Sequence, residues 1–272
     1  MTRRIVIHAG FHKTGTTTVQ RMLHANGEVL WPVTALALRW RLKPVLAAAL
    51  AYSDWRDSDS LDLFAARFDE FLTDLNLGAK RMLCLSSEEL AGHMPGREGV
   101  EDYSATPALM ATLLEGLRRR IPEADPVFYF STRAPDSWLE SAWAEHVKSS
   151  RMTLERDVFA DRYASAAEFG PIVEAVAEAV APCPVVHRDL AQVTTLPLGP
   201  AEPLIDLLNL SPSRRIALTP QPRENAALPA EALAACLAIN QSRRSYDEVR
   251  AAKNDILAPY MRQQKSRMGQ EP

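Results

Sequence analysis

The sequence lacks a surplus of positive charge. Its 31 Lys and Arg stand against 34 Asp and Glu, a formal net charge of −3. A surface that binds nucleic acid broadly carries a clear basic excess, so the balance argues against such a partner while leaving room for a small anion pocket. Cysteine is scarce: Cys84, Cys183 and Cys236 are the three. They cannot build a disulfide framework, no C-x-x-C pair suggests zinc, and each sits among apolar neighbours as a small buried hydrophobe does. This usage fits a reducing compartment, and a cytoplasmic protein is expected. Long apolar runs are also missing. The most apolar stretch, 29–52, is interrupted by Arg39, Arg41 and Lys43 and broken by Pro44, so no integral membrane segment is expected. Thr2-Arg3-Arg4 is basic, but Ile5-Val6-Ile7 is too short for the apolar part of a secretory leader and runs into a polar loop.

What is present is an ordinary globular composition, 47% hydrophobic and 24% charged over 272 residues. Length alone allows about two domains. The order of elements favours one α/β domain over 1–272, with helical additions at about 30–78 and 229–262. Strands are expected at 4–8, 80–85, 126–131 and 184–187, each short, β-branched or aromatic. Helices are expected at 16–25, at 34–52 with a break near Pro44, and at 60–75, where Gly78 provides the stop. Further helices are expected at 108–120, 135–149, 166–181, 201–208, 233–240 and 246–260. Ser86-Ser87 before Glu88-Glu89 reads as a helix start. Residues 92–107 and 211–229 read as loops, and the tail after Met261 as frayed. Strands alternating with helices imply a three-layer parallel sheet covered on both faces.

The first strand and helix bracket Gly10-Phe11-His12-Lys13-Thr14-Gly15-Thr16-Thr17-Thr18. A Gly- and Thr-rich turn entering a helix N-terminus is an anion cradle: backbone N–H groups point inward, the helix dipole adds positive character, and threonine hydroxyls add donors. Lys13 adds a mobile point charge. The order differs from G-x-x-x-x-G-K-[ST], because Lys13 precedes Gly15. The third strand ends in Ser131-Thr132-Arg133, a cation where an ATPase would place an acidic Mg²⁺ ligand. Arg at a strand's C-terminal end points into the crevice where α/β sheets bind ligands, and it suits bidentate phosphate recognition. Ser141, two turns into the following helix, is placed to face the same anion.

With Lys13-Thr14-Gly15-Thr16-Thr17 and Arg133-Ala134-Pro135-Asp136-Ser137-Trp138-Leu139-Glu140-Ser141, the chain resembles the sulfotransferase family over residues 3–30 and 80–150. The His12-Lys13 form is more similar to bacterial and carbohydrate-type members than to phenol or steroid ones. The resemblance implies a P-loop-like strand-loop-helix. It also implies that residues 13–18 hold the 5′-phosphosulfate of 3′-phosphoadenosine-5′-phosphosulfate and that Arg133 and Ser141 hold its 3′-phosphate. Adenosine 3′,5′-bisphosphate would be the product, no metal is implied, and the acceptor would be a small-molecule, glycan or lipid hydroxyl. The Arg-Lys-Gly signature of cytosolic members is missing; Arg214-Arg215 or Arg223 are candidate substitutes. Thr18 stands where those members often carry an aromatic residue.

Sulfuryl transfer needs a base for the acceptor proton. Glu88 after the second strand is the first candidate, with Glu89, His12 and a solvated His93 as alternatives. The five tryptophans (31, 40, 55, 138, 143) read first as core and second as an acceptor wall. His187-Arg188-Asp189-Leu190 opens like a kinase catalytic loop, but Thr194 stands where Asn is required, so it reads as a capped strand end. Arg118-Arg119-Arg120 reads as a helix C-terminus. Other functions compatible with the same loop are an atypical kinase or NTPase and a non-catalytic nucleotide-binding interaction module.

Overall fold

The computed structural model describes residues 2–75, 77, 81–221 and 228–267. β1 (Arg3–His8) passes through a loop into α1 (Thr16–Ala25) and the single-turn α2 (Gly27–Leu30). β2 (Thr34–Leu38), α3 (Arg39–Trp55), α4 (Ser58–Thr73), β3 (Met82–Ser86), α5 (Thr106–Arg120) and β4 (Ala124–Thr132) follow. Next come α6 (Pro135–Ser149), α7 (Arg156–Tyr163), α8 (Phe169–Ala179) and β5 (Val185–Asp189). Short helices α9 (Leu190–Val193), α10 (Glu202–Leu207) and α11 (Pro212–Ile216) lead to the pair α12 (Ala230–Asn240) and α13 (Tyr246–Arg267).

All five strands are parallel, in the order β2-β3-β1-β4-β5. The period-two alternation of strand side chains sends successive residues to opposite faces. Ile5 and Ile7, Leu83 and Leu85, and Phe128 and Phe130 join one core with Phe64 and Phe68 of α4, Leu113 and Leu117 of α5 and Val176 of α8. Val6, Cys84, Val127 and Tyr129 turn the other way, onto Val19, Met22 and Leu23 of α1 and Leu204 and Ile205 of α10. Each fully buried Phe or Leu contributes about 2 kcal/mol of burial free energy, so both helix layers are held by the same near-continuous apolar strands. β1 sends its connection toward β2 and β4 sends its own toward β5, on opposite sides. That divergence opens a crevice at their C-terminal ends, the usual ligand position in open α/β sheets.

Several local expectations need correction. Thr34–Leu38 is a strand, not the start of a helix: it pairs with Met82–Ser86 and is fully buried, and a five-residue apolar run carries no period that tells the two apart. Pro44 does not break α3. Its missing N–H removes one helical donor to the Trp40 carbonyl, a loss the 17-residue helix absorbs. The 92–105 segment is not a surface loop throughout, since Met94, Val100, Tyr103 and Ala105 are buried. α7 buries only Phe159 and Tyr163, too few for a visible stripe. α11 is a single turn inside the expected 211–229 loop, capped by Ser211, and α13 continues to Arg267, past the point where fraying is expected. Gly78, Lys80 and Arg223 lie outside the described residues. Among the described residues, no helix is long and apolar enough to cross a membrane.

Candidate functional site

The loop after β1 is pinned from below. Ala9 and Phe11 extend the ladder to β4 through Tyr129 O and Ser131 O. The Thr14 hydroxyl, fully buried, donates to Phe11 O and lies 2.6 Å from Ser131 Oγ. It therefore staples the loop and offers no donor outward, unlike the expectation for a threonine here. Lys13 and Gly15 have positive φ, 65° and 94°, with Thr14 at negative φ between them. That alternation turns successive N–H groups to one side. Gly15 N-caps α1 without a side-chain cap, and the amides of residues 13–18 have no intramolecular acceptor among the described residues. Thr16 is buried, Thr17 exposed and Thr18 half-buried.

Two glycines are required by geometry. A Cβ on Gly15 would combine a left-handed backbone with a 2.8 Å approach to Leu190 Cδ1. A Cβ on Gly10 would fall 2.3 Å from Ser131 Oγ and 2.8 Å from His8 Nε2. His8 is thus the floor of the loop, a role its strand position did not reveal. It is fully buried, its Nδ1 lies 2.8 Å from Ser86 Oγ, and its Nε2 has no partner among the described residues. Burial, partly offset by Glu88, lowers its pKa to about 4, so it is neutral at pH 7.

Arg133, at the end of β4, reaches across the crevice. Its Nη1 donates to Lys13 O at 3.1 Å and its Nε to Ser137 Oγ at 2.8 Å. Burial lowers its pKa, opposed by Glu140 and Asp189, yet a guanidinium stays charged. Ser141 is half-buried one turn further along α6 and makes no side-chain hydrogen bond among the described residues. Residues 137, 141 and 145 share one face of α6. Ser137 and Glu145 were not singled out by sequence; the i, i+4, i+8 spacing from Ser137 was the signal that could have found them. Glu145 Oε2 lies 2.9 Å from Lys13 Nζ and 2.6 Å from Lys148 Nζ. Burial alone would raise the Glu145 pKa, but the two lysines outweigh it and bring it to about 2.

Glu88, in a 3₁₀ turn after β3, accepts from Gln20 Nε2 at 2.7 Å. Burial would raise its pKa; His12, its own backbone N–H, Gln20 and His8 together hold it below the ordinary carboxylate value. It is an ionised carboxylate facing His12 and His8. The other base candidates are placed elsewhere. Glu89 forms a bidentate pair with Arg39 at 2.7 and 3.1 Å. His93 is not solvated: its side chain is 11% exposed, with Nε2 3.3 Å from Asp54 Oδ2. His12 is gripped by Tyr103 and Trp138.

Arg214 donates to Val29 O and Arg215 pairs with Glu202 and Asp206, so neither reaches the crevice. Trp138 and Trp143 are core residues, whereas Trp31, Trp40 and Trp55 are 48%, 63% and 74% exposed. Asp189 caps α9 through Ala191 N. Arg119 and Arg120 bind Asp69 at the end of α5. A cleft of about 400 Å³ opens beside the Tyr103 ring, lined also by Asp102, Ser104, Ser165, Glu168 and Ile172. Among the described residues, no group of three or more His, Cys, Asp and Glu is placed to hold a metal ion. No family model, curated protein or solved structure matches the chain.

Proposed function

We propose that the chain is a sulfotransferase, moving a sulfuryl group from 3′-phosphoadenosine-5′-phosphosulfate to a hydroxyl of a carbohydrate, lipid or small-molecule acceptor. The observation that carries this reading is the joint between two cationic elements 120 residues apart. Arg133 Nη1 donates to Lys13 O, so the amide-lined loop and the strand-end guanidinium form one anion-binding crevice. A donor with anionic groups on both its 3′ and 5′ positions fits a crevice with two cationic elements better than a single phosphate chain does.

In this reading the amides of residues 13–18 and Lys13 hold the 5′-phosphosulfate. Arg133, with Ser137 and Ser141 on the adjoining helix face, holds the 3′-phosphate. The acceptor oxygen attacks sulfur in line. An O–S bond forms, the S–O bond to the 5′-phosphate breaks, and the electron pair leaves on the phosphate oxygen, where Lys13 offsets the developing charge. Glu88, kept ionised, takes the acceptor proton. Adenosine 3′,5′-bisphosphate is the product.

Calorimetry tests the reading. Adenosine 3′,5′-bisphosphate should bind more tightly than ATP, without a Mg²⁺ requirement, and Arg133→Ala should weaken it at least tenfold. Lys13→Ala should abolish transfer of labelled sulfate. A Mg²⁺-dependent preference for ATP would replace the reading by a kinase or NTPase. Tight nucleotide binding with no transfer to a broad acceptor library would replace it by a non-catalytic binding module.

A further inference from the structure

Every polar atom of His12 but one is already engaged. Its backbone N–H donates to Tyr103 Oη at 3.2 Å, and its carbonyl accepts from Trp138 Nε1 at 2.8 Å. Nδ1 lies 3.2 Å from the same Tyr103 Oη. Nε2 has no hydrogen-bond partner among the described residues. Tyr103 itself cannot turn away: it is 3% exposed, and its ring packs on Phe11 at 4.7 Å, Phe169 at 6.1 Å and Trp138 at 6.2 Å.

The need of the buried Tyr103 hydroxyl for an acceptor favours one tautomer. A tyrosine hydroxyl has one proton to give and lone pairs to receive. Oη receives the His12 backbone N–H, and among the described residues the buried Tyr103 proton has no acceptor other than Nδ1. Burial pushes the Tyr103 pKa well up, so that proton is retained at any ordinary pH. A neutral imidazole whose Nδ1 accepts must carry its proton on Nε2. The groups facing His12 agree with a neutral ring: burial lowers its pKa, Glu88 opposes, and His93, His146 and Lys13 lower it further.

We propose that Tyr103 is a positioning residue that locks His12 as the Nε2–H tautomer, so that His12 donates a hydrogen bond to an oxyanion held by the 10–16 loop and does not serve as the base. The identity of that anion, a sulfuryl or phosphoryl oxygen, rests on the sulfotransferase reading; the tautomer does not. It follows that the proton-accepting role is left to Glu88.

Long-range ¹H–¹⁵N spectra of ¹⁵N-histidine-labelled protein, with the His12 signals assigned by their loss in His12→Gln, read the tautomer directly. The wild type should show an unprotonated Nδ1 and a protonated Nε2 from pH 5.5 to 8. Tyr103→Phe should lose that preference and bind adenosine 3′,5′-bisphosphate about tenfold more weakly, as expected for one hydrogen bond to a charged group. His12→Gln keeps an N–H at the Nε2 position and should bind within about threefold of wild type, whereas His12→Ala should fall about tenfold. A protonated Nδ1 in the wild type overturns the proposal. So does a Tyr103→Phe protein that keeps both tautomer and affinity, or a His12→Ala protein that binds as tightly as wild type. Titration with inorganic pyrophosphate separates the two readings. If it shifts the His12 Nε2 resonance while the nucleotide fails to bind, the sulfotransferase reading falls and the His12 donor stands.

Discussion

Glu145 and Lys13 form an ion pair at 2.9 Å, and Lys148 completes it from the next turn of α6. Lys13 is therefore held by an internal carboxylate, which an incoming anion must replace under the proposed function. Glu145→Gln removes the competitor. Its expected effect is a several-fold gain in affinity for adenosine 3′,5′-bisphosphate by calorimetry, with a steeper salt dependence because Lys13 is then uncompensated. Because its pKa is about 2, Glu145 stays charged across pH 4–8, so the pairing itself should add no pH dependence to binding in that window.

Glu88 is kept ionised in part by the Gln20 amide. Gln20→Ala removes a donor to the charged form, so the Glu88 pKa rises and the acid limb of kcat against pH moves to higher pH. Glu88→Gln should lower kcat strongly while nucleotide affinity stays nearly intact. Full turnover in Glu88→Gln would remove Glu88 from the mechanism.

His8 links the site to acid stability. Its folded pKa is about 4, below the ordinary 6.5, so the unfolded chain binds the proton first as pH falls. Stability contributed by neutral His8 is present above pH 6.5 and is lost between about 6.5 and 4. The shift corresponds to about 3 kcal/mol. His8→Phe keeps a ring to stack on Tyr129 and should flatten the fall of Tm between pH 7 and 5 relative to wild type.

Gly10→Ala forces a Cβ onto Ser131 Oγ and His8 Nε2 and should destabilise by about 2 kcal/mol. That predicts a Tm lower by about 4–8 °C in a chain of this size. Gly170 is the control: a Cβ there meets nothing within 4 Å, so Gly170→Ala should leave Tm unchanged or raise it.

The strand-loop-helix at 4–25 and the strand-helix pair at 124–149 were legible because each carries its own local signal. Apolar runs mark the strands, Pro135 starts α6, and Gly10 and Gly15 punctuate the loop. β2 was not legible, because five apolar residues become a strand only when β3 lies beside them. His93 and Glu89 were named as candidate bases from chain position alone, and their partners Asp54 and Arg39 come from a distant helix.

By itself the sequence determined where the loop lies and which residues it carries. Lys13, Gly15, Thr16 and Thr17 at a helix entrance, and Arg133 at a strand end, are fixed by local spacing, because backbone amides and strand-end geometry depend on neighbours a few positions away. Only the tertiary structure decided which groups share that crevice. Arg133 meets Lys13 O, Glu145 holds Lys13, His8 underlies Gly10, and Tyr103 fixes His12 because parallel strands distant in the chain end side by side. No spacing rule along the chain encodes that adjacency. It follows from how the two apolar faces of the sheet are buried.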